Sequence, residues 1–538
     1  MLSTMQDAPL LIRDIVLRGE QMYAAKKIFT VTPTGVDVAT FADVAANARR
    51  LANALRTLGV SDDARVGTLM WNTQAHMEVY LAVPTMGAIL HTLNIRLFPD
   101  QLAFVINDAA DEVLIIEETL IPVLARIRDQ LTTVRHIIVK GVDSDGFLGD
   151  TLSYDELLAG ASDDFDWPDL DEHQAAILCY TSGTTGNPKG VLYSHRSTWL
   201  HSLASTTANS VGLSERDRCL LVVPMFHVNA WGAAFTSFLA GTEMIMPNML
   251  LKGEYLLQMI EGLSPTVALG VPTIWNDLLR AAEEKGDANF SSLRFILAGG
   301  AAVPRTMIEA FADRHGVTVV QGWGMTETSP LASVSIPPFG SDPAHDIEYR
   351  VKAGRLVAGV EARIVSPEGD ELPRDGEAVG EFELRGPWIT GSYYNNPSAE
   401  QFHDGWLRTG DIGTLDPEGF MVITDRSKDV IKSGGEWISS VALENALMGH
   451  PDVFEAAVVA VPDERWDERP LACIVLKEGR SVTASDLRIF LEPQVARWWL
   501  PERWTFIEAV PKTSVGKFDK KVLRAQYAAN ELTVETLA

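Results

Sequence analysis

From about residue 40 to 140, apolar positions alternate between two periods. "FADVAANARRLANALRTLG" repeats them at the spacing of an amphipathic helix, whereas "ARVGTLMW" and "DEVLIIEE" are compact apolar runs that predict strands. The middle of the chain is more regular. "QAAILCY", "RCLLVVPMF", "TVALGV", "LRFILAG" and "VTVVQGWG" are short apolar runs, each closed by a glycine- or proline-bearing turn. Helical patterns such as "IWNDLLRAAEEKG" and "RTMIEAFADRHG" lie between some of them. Strands alternating with helices predict parallel sheets covered by helices, and ligands in such sheets sit beyond the carboxyl ends of the strands.

Between about 354 and 424 the pattern turns all-β, in "VEARIVSPEGDELP", "VGEFELRGP" and "GFMVITD". This predicts a small distorted barrel. The charged, glycine-rich "DRSKDVIKSGGEW" follows, and then an α+β stretch to the end. The predicted class is α/β. A large N-terminal domain of helix-covered sheets spans 1–425, with the barrel at 353–425. A hinge at 426–428 leads to a small mobile α+β domain at 429–538.

The length, 538 residues, exceeds what one core supports, so several domains are predicted. A net charge of −27 disfavours nucleic acid and anionic membranes as general partners, and any anionic ligand needs locally concentrated cations. Cys179, Cys219 and Cys473 are widely spaced and form no CxxC, which predicts buried apolar residues. The N-terminus lacks a signal-peptide apolar run. The longest apolar region, "VYLAVPTMGAILHTL", is broken by Pro84 and His91 and too short to span a bilayer. A cytoplasmic enzyme is the expectation.

"YTSGTTGNPKG", Tyr180 to Gly190, follows a strand and is rich in groups that wrap phosphate: flexible glycines, hydroxyls and Lys189. A Walker A loop requires a hydroxyl residue after the lysine for magnesium, and Gly190 stands there instead. A shorter GTTG would be read as a surface turn; the eleven residues together are far more specific. "AGGA" and "GWG" make no G-x-G-x-x-G, so a dinucleotide fold is disfavoured. Taken alone, Glu327 is equally a solvated acid at a helix start, Asp411 a surface-turn acid, and Trp231 or Trp437 a packed aromatic.

The eleven-residue loop resembles the signature of the adenylate-forming superfamily: acyl-CoA synthetases, luciferases and amino-acid adenylation domains. The likeness continues in order through "PMFHVNAWG", "AGGA", "QGWGMTET", "TGD", "DRSKDVIKSGGEWIS" and "PKTSVGK", covering essentially the whole chain. It is nearest to medium- and long-chain fatty-acyl-CoA ligases. The resemblance implies ATP, Mg2+ and coenzyme A as the small molecules used. A carboxylic acid is activated as acyl-AMP with release of pyrophosphate, and its acyl group then passes to the coenzyme A thiol.

The same resemblance assigns the residues. Thr181, Ser182, Gly183, Thr184, Thr185, Gly186 and Lys189 would hold the phosphates, with Thr184 and Glu327 at the metal and Thr326 beside the phosphates. Gly300, Ala301, Gly322, Trp323 and Gly324 would flank adenine, and Asp411 and Arg426 the ribose. Lys517 would bridge the attacking carboxylate and the α-phosphate. His227 and Trp231 stand where amino-acid adenylation domains carry "FDASVWE". The aspartate that pairs with a substrate ammonium is therefore missing here, and Trp231 matches the tryptophan at the acyl tunnel. Gly300 and Gly324 would also border the acid. Lys428 occupies the hinge position. Lys432, Gly434 and Gly435 would line the thiol path after a domain rotation, and Trp437 would cover adenine.

Other readings stay open at this level: a short acid such as 3-(methylthio)propionate, transfer to a carrier protein or an amine, or a silent acyl-adenylate binder. A homodimer is expected from the related long-chain enzymes.

Overall fold

A computed structural model describes residues 3–181, 187–396, 399–434, 436–512 and 518–537. The strands named above form where the apolar runs predict them. Seven strands make one sheet, in which Arg65–Leu69 lies parallel between Val113–Glu117 and Ile89–Thr92. A second sheet of fourteen strands holds the parallel series Val267–Gly270, Phe295–Gly299 and Thr318–Gly324.

Helices cover both. Phe41–Thr57 starts at Thr40, whose hydroxyl accepts from Asp43 N while the Asp43 carboxylate accepts from Thr40 N, so two of the unpaired first-turn donors are satisfied. Its Val44, Ala48, Leu51 and Leu55 recur on one face and are fully buried. Burial of each large aliphatic side chain is worth roughly 1.5–3 kcal/mol. The apolar stretch around Pro84 is not one element. It divides into helix Gln74–Thr85 and strand Ile89–Thr92. Among the described residues no helix is long and apolar enough to cross a membrane.

The predicted barrel does not close. Glu361–Val365, Gly380–Arg385, Trp406–Leu415 and Phe420–Arg426 form an open antiparallel run. The edge that would seal it is already used. Gly354–Leu356 pairs with Phe420–Arg426 on one side and Leu331–Val334 on the other, joining the run to the large sheet. Gly354 makes that seam possible: its φ is +112°, and a β-carbon there would lie 2.2 Å from the Val334 carbonyl carbon.

Beyond residue 430 a six-stranded sheet packs against helices Ser440–Met448, Ala484–Leu491 and Lys520–Ala528, an α+β arrangement as expected. All three cysteines are free and buried, and burial pushes the Cys179 thiol up to about 11.

Candidate active site

The ends of the strands at Tyr180, Gly299 and Gly324 meet at one cavity of about 760 Å³. The segment between Tyr180 and Gly190 is flanked by an antiparallel pair, with Ala175–Tyr180 paired to Gly190–Ser194 and Tyr180 opposite Gly190. In a Walker loop a helix would follow; here the chain stays extended until helix His195–Ser205. Thr181 N donates to Lys189 O at 2.9 Å, and Lys189 N donates to Thr181 Oγ1 at 3.1 Å, so the two ends of the loop are tied together. Ser182, Gly183, Thr184, Thr185 and Gly186 lie outside the described residues. The Lys189 ammonium donates to Gln401 Oε1 at 2.5 Å and sits 4.7 Å from the Tyr393 ring centroid.

Thr326 and Glu327 follow strand Thr318–Gly324 in a single 3-10 turn, both buried yet lining the cavity. The turn is tight because Gly324 passes the Pro330 carbonyl where a β-carbon would come within 1.9 Å. Tyr393 donates to Glu327 Oε1 at 2.7 Å, Thr390 N donates to Glu327 O at 2.8 Å, and Tyr193 donates to Thr326 O at 2.6 Å. Burial, and then the Glu327 charge, hold the Tyr393 hydroxyl far above its ordinary pKa, so it remains a donor.

Asp411 and Arg426 face each other across an antiparallel pair, with Nε 2.5 Å from Oδ1. Trp323 Nε1 donates to Asp411 Oδ2 at 3.0 Å. Arg426, Thr409 and Gly410 line the cavity, whereas Asp411 itself is 2% exposed behind them. Lys428 also lines the cavity, and its partial burial lowers its pKa.

The part of the cavity lined by His227 and Trp231 is built on unusual backbone. Val228, Asn229, Ala230 and Trp231 all have φ between 47° and 58°, a left-handed turn ending at Gly232. Such residues cost roughly 1–2 kcal/mol each. The surroundings hold the turn: Asn229 Oδ1 accepts from Tyr80 at 3.3 Å and from Cys179 at 3.4 Å. At Gly232 a β-carbon would strike His201 at 2.6 Å. Trp231 is thereby laid against Gly299, where a β-carbon would come within 3.2 Å of the indole. His227, Trp231, Gly300, Gly322, Trp323 and Gly324 all line the cavity.

Other predicted residues are not gathered there. Ala301 is exposed and outside the lining. Lys432, Gly434 and Trp437 lie on the hairpin Ile431–Ser433 and Glu436–Ile438, away from the cavity, with Gly434 beneath Trp466. Gly435 and Lys517 are outside the described residues. Phe518, next to Lys517, does line the cavity. Tyr393 and Gln401 were missed by sequence reasoning. Their segment, "GSYYNNPSAEQ", carries the polar and aromatic residues of an ordinary loop; only the clustering of tyrosine and asparagine hints at a site.

Among the described residues no group of three or more His, Cys, Asp or Glu side chains could hold a metal alone. One buried carboxylate beside a phosphate loop instead suits Mg2+, which binds through few protein oxygens together with substrate phosphates. Glu327 fits that donor set.

The profile of the AMP-binding enzyme family matches residues 22–394, and that of the AMP-binding enzyme C-terminal domain matches 442–517. The chain belongs to the AMP-binding enzyme family. This AMP-binding enzyme is 44% identical over 536 residues to the 3-methylmercaptopropionyl-CoA ligase of Ruegeria lacuscaerulensis, covering 98% of this chain and 99% of the relative. It is 44% identical over 534 residues to the long-chain-fatty-acid–CoA ligase of Thermus thermophilus, covering 98% and 97%. The anthranilate CoA ligase AuaEII in complex with anthranoyl-AMP superposes with a TM-score of 0.88 at 28% identity, covering 98% of this chain and 100% of that one. The activity is therefore that of an AMP-forming acyl-CoA ligase that uses a carboxylic acid, ATP, Mg2+ and coenzyme A.

Proposed function

We propose that the acid is a fatty acid of medium to long chain. The observation that carries this is the apolar part of the cavity lining. It is supplied by Val211, Leu213, Ala233, Thr236, Leu297 and Leu331, and among these there is no charge to meet a second carboxylate or an ammonium group. Burying an unpaired ionic substituent there would cost several kcal/mol.

In the first half-reaction a carboxylate oxygen attacks the α-phosphate. The bond between the α- and β-phosphates breaks, and pyrophosphate leaves with the electron pair. Repulsion between two anions has to be offset by cations and fixed donors. Lys189 and the loop it ties to Thr181 hold the departing phosphates, Arg426 and Asp411 fix the ribose, and Lys517 meets the α-phosphate and the acid. Glu327 and Thr184 would hold Mg2+, which supplies positive charge to the phosphate oxygens when bound. Tyr393 keeps Glu327 oriented. In the second half-reaction the thiol sulfur attacks the acyl carbonyl, the acyl–phosphate bond breaks and AMP leaves; the thiol proton is lost to solvent. Lys432, Gly434 and Gly435 serve this step after the C-terminal part turns about 426–428.

A second reading is favoured by the Ruegeria relative: 3-(methylthio)propionate, whose thioether would pack against the Trp231 indole. Pyrophosphate release measured with saturated acids from acetate to palmitate, and with 3-(methylthio)propionate, separates the two. Rising kcat/KM from butyrate to octanoate and beyond supports the fatty acid. A maximum at 3-(methylthio)propionate supports the second reading, and preference for a dicarboxylic or amino acid overturns both.

A further inference from the structure

Asp425 is the residue immediately before the 426–428 segment, on strand Phe420–Arg426, and only 1% of it is exposed. Two of its hydrogen bonds come from one residue beyond that segment. Ser440 donates to Asp425 Oδ2 through its backbone N at 2.6 Å and through its Oγ at 2.5 Å. Ser440 opens helix Ser440–Met448, so the carboxylate sits at the positive end of that helix. One residue back, Ser439 donates its hydroxyl to the Thr424 carbonyl while capping the same helix through Ala442 N.

The C-terminal helix completes the arrangement. Lys520, also buried, donates to Ser440 Oγ at 2.5 Å and lies 2.8 Å from Glu444 Oε1. Lys520 is two residues from the cavity-lining Phe518. One turn further on, Arg524 pairs with Asp429 at 3.0 Å.

We propose that Asp425 and Ser440 are a positioning pair for acid activation, a latch that holds the C-terminal part in the orientation presenting Phe518 to the cavity. This rests on the ligase reading and on a hinge at 426–428. Rotation about that hinge must separate Thr424 and Asp425 from Ser439 and Ser440, because the two pairs lie on opposite sides of it. The buried carboxylate then loses its helix terminus and two donors. The latch is made in the orientation that leaves Lys432 and Gly434 away from the cavity, so it favours acyl-AMP formation and has to open before thioester formation.

The two half-reactions test this separately in Asp425→Asn and Ser440→Ala: acyl-AMP formation from acid and ATP, and thioester formation from supplied acyl-AMP and coenzyme A. Asp425→Asn should lower the first about ten-fold, as loss of hydrogen bonds to a charged group implies, and leave the second unchanged or faster. Ser440→Ala keeps the backbone bond and should give a smaller loss with the same asymmetry. Trypsin should also nick 426–432 faster in both variants. Equal loss of the two half-reactions, failure of both variants to fold, or unchanged nicking overturns the latch, since the contact would then be holding the fold or nothing. A wild-type protein that performs neither half-reaction overturns the ligase reading instead.

Discussion

Tyr393 donates its hydroxyl to Glu327 at 2.7 Å, and the same ring lies 4.7 Å from the Lys189 ammonium. One aromatic side chain thus touches both the carboxylate suited to magnesium and the cation suited to phosphate, from a loop far from either in sequence. A hydrogen bond to a charged group contributes about 1.5–3 kcal/mol. Tyr393→Phe should therefore slow acyl-AMP formation about ten- to a hundred-fold and raise the Mg2+ concentration needed for half-maximal rate. Titration of Mg2+ at saturating ATP checks it. A variant slowed without any change in Mg2+ dependence would show that Glu327 is not what Tyr393 orients.

Lys517 carries the sharpest functional expectation. Lys517→Ala should abolish acyl-AMP formation and spare thioester formation from supplied acyl-AMP. Rapid-quench measurement of the two steps decides the matter, and equal loss of both would contradict the assignment.

The apolar part of the cavity lining makes a steric prediction. Leu213 is 2% exposed and lines the cavity. Leu213→Trp should remove activity on the longer acids while acetate and butyrate are retained, with the KM for ATP within about two-fold, because uniform loss of binding would affect every acid alike. Trp231→Ala should likewise change acid selectivity more than ATP affinity. If only the KM for ATP moves, the indole does not border the acid.

His201 ties the left-handed turn to the fold. It abuts Gly232, accepts from Leu331 N at 3.3 Å and meets the Trp388 ring edge-on. Burial lowers its pKa to about 4. A base with a depressed folded pKa contributes its stability above its unfolded pKa of about 6.5 and loses it as pH falls toward 4. For this one group the loss between pH 7 and pH 5 is about 2 kcal/mol. His76 is likewise depressed to about 4 by burial and adds to the slope with the same sign. Urea unfolding at the two pH values should show a smaller acid loss in His201→Asn than in the wild type. An identical slope would mean that His201 is not held neutral.

Local sequence determined a great deal here. The two hydrophobic periods fixed helices and strands such as Phe41–Thr57 and Phe295–Gly299, because burial of one face needs only the right spacing. The motif residues Lys189, Thr326, Glu327, His227 and Trp231 do converge on one cavity, and each lies in the connection after a strand: Lys189 after Ala175–Tyr180, Thr326 and Glu327 after Thr318–Gly324, His227 and Trp231 after Arg218–Leu221. Three features were decided only in three dimensions. The β segment opened rather than closing, because pairing of Gly354–Leu356 with Leu331–Val334 competes with closure and no local pattern records a non-local partner. The backbone at Val228–Trp231 is left-handed although its residues disfavour it, because Tyr80, Cys179 and His201 from three distant segments hold it there. Tyr393 and Asp425 took their places through contacts with Glu327 and Ser440, partners that only the folded chain brings within hydrogen-bond range.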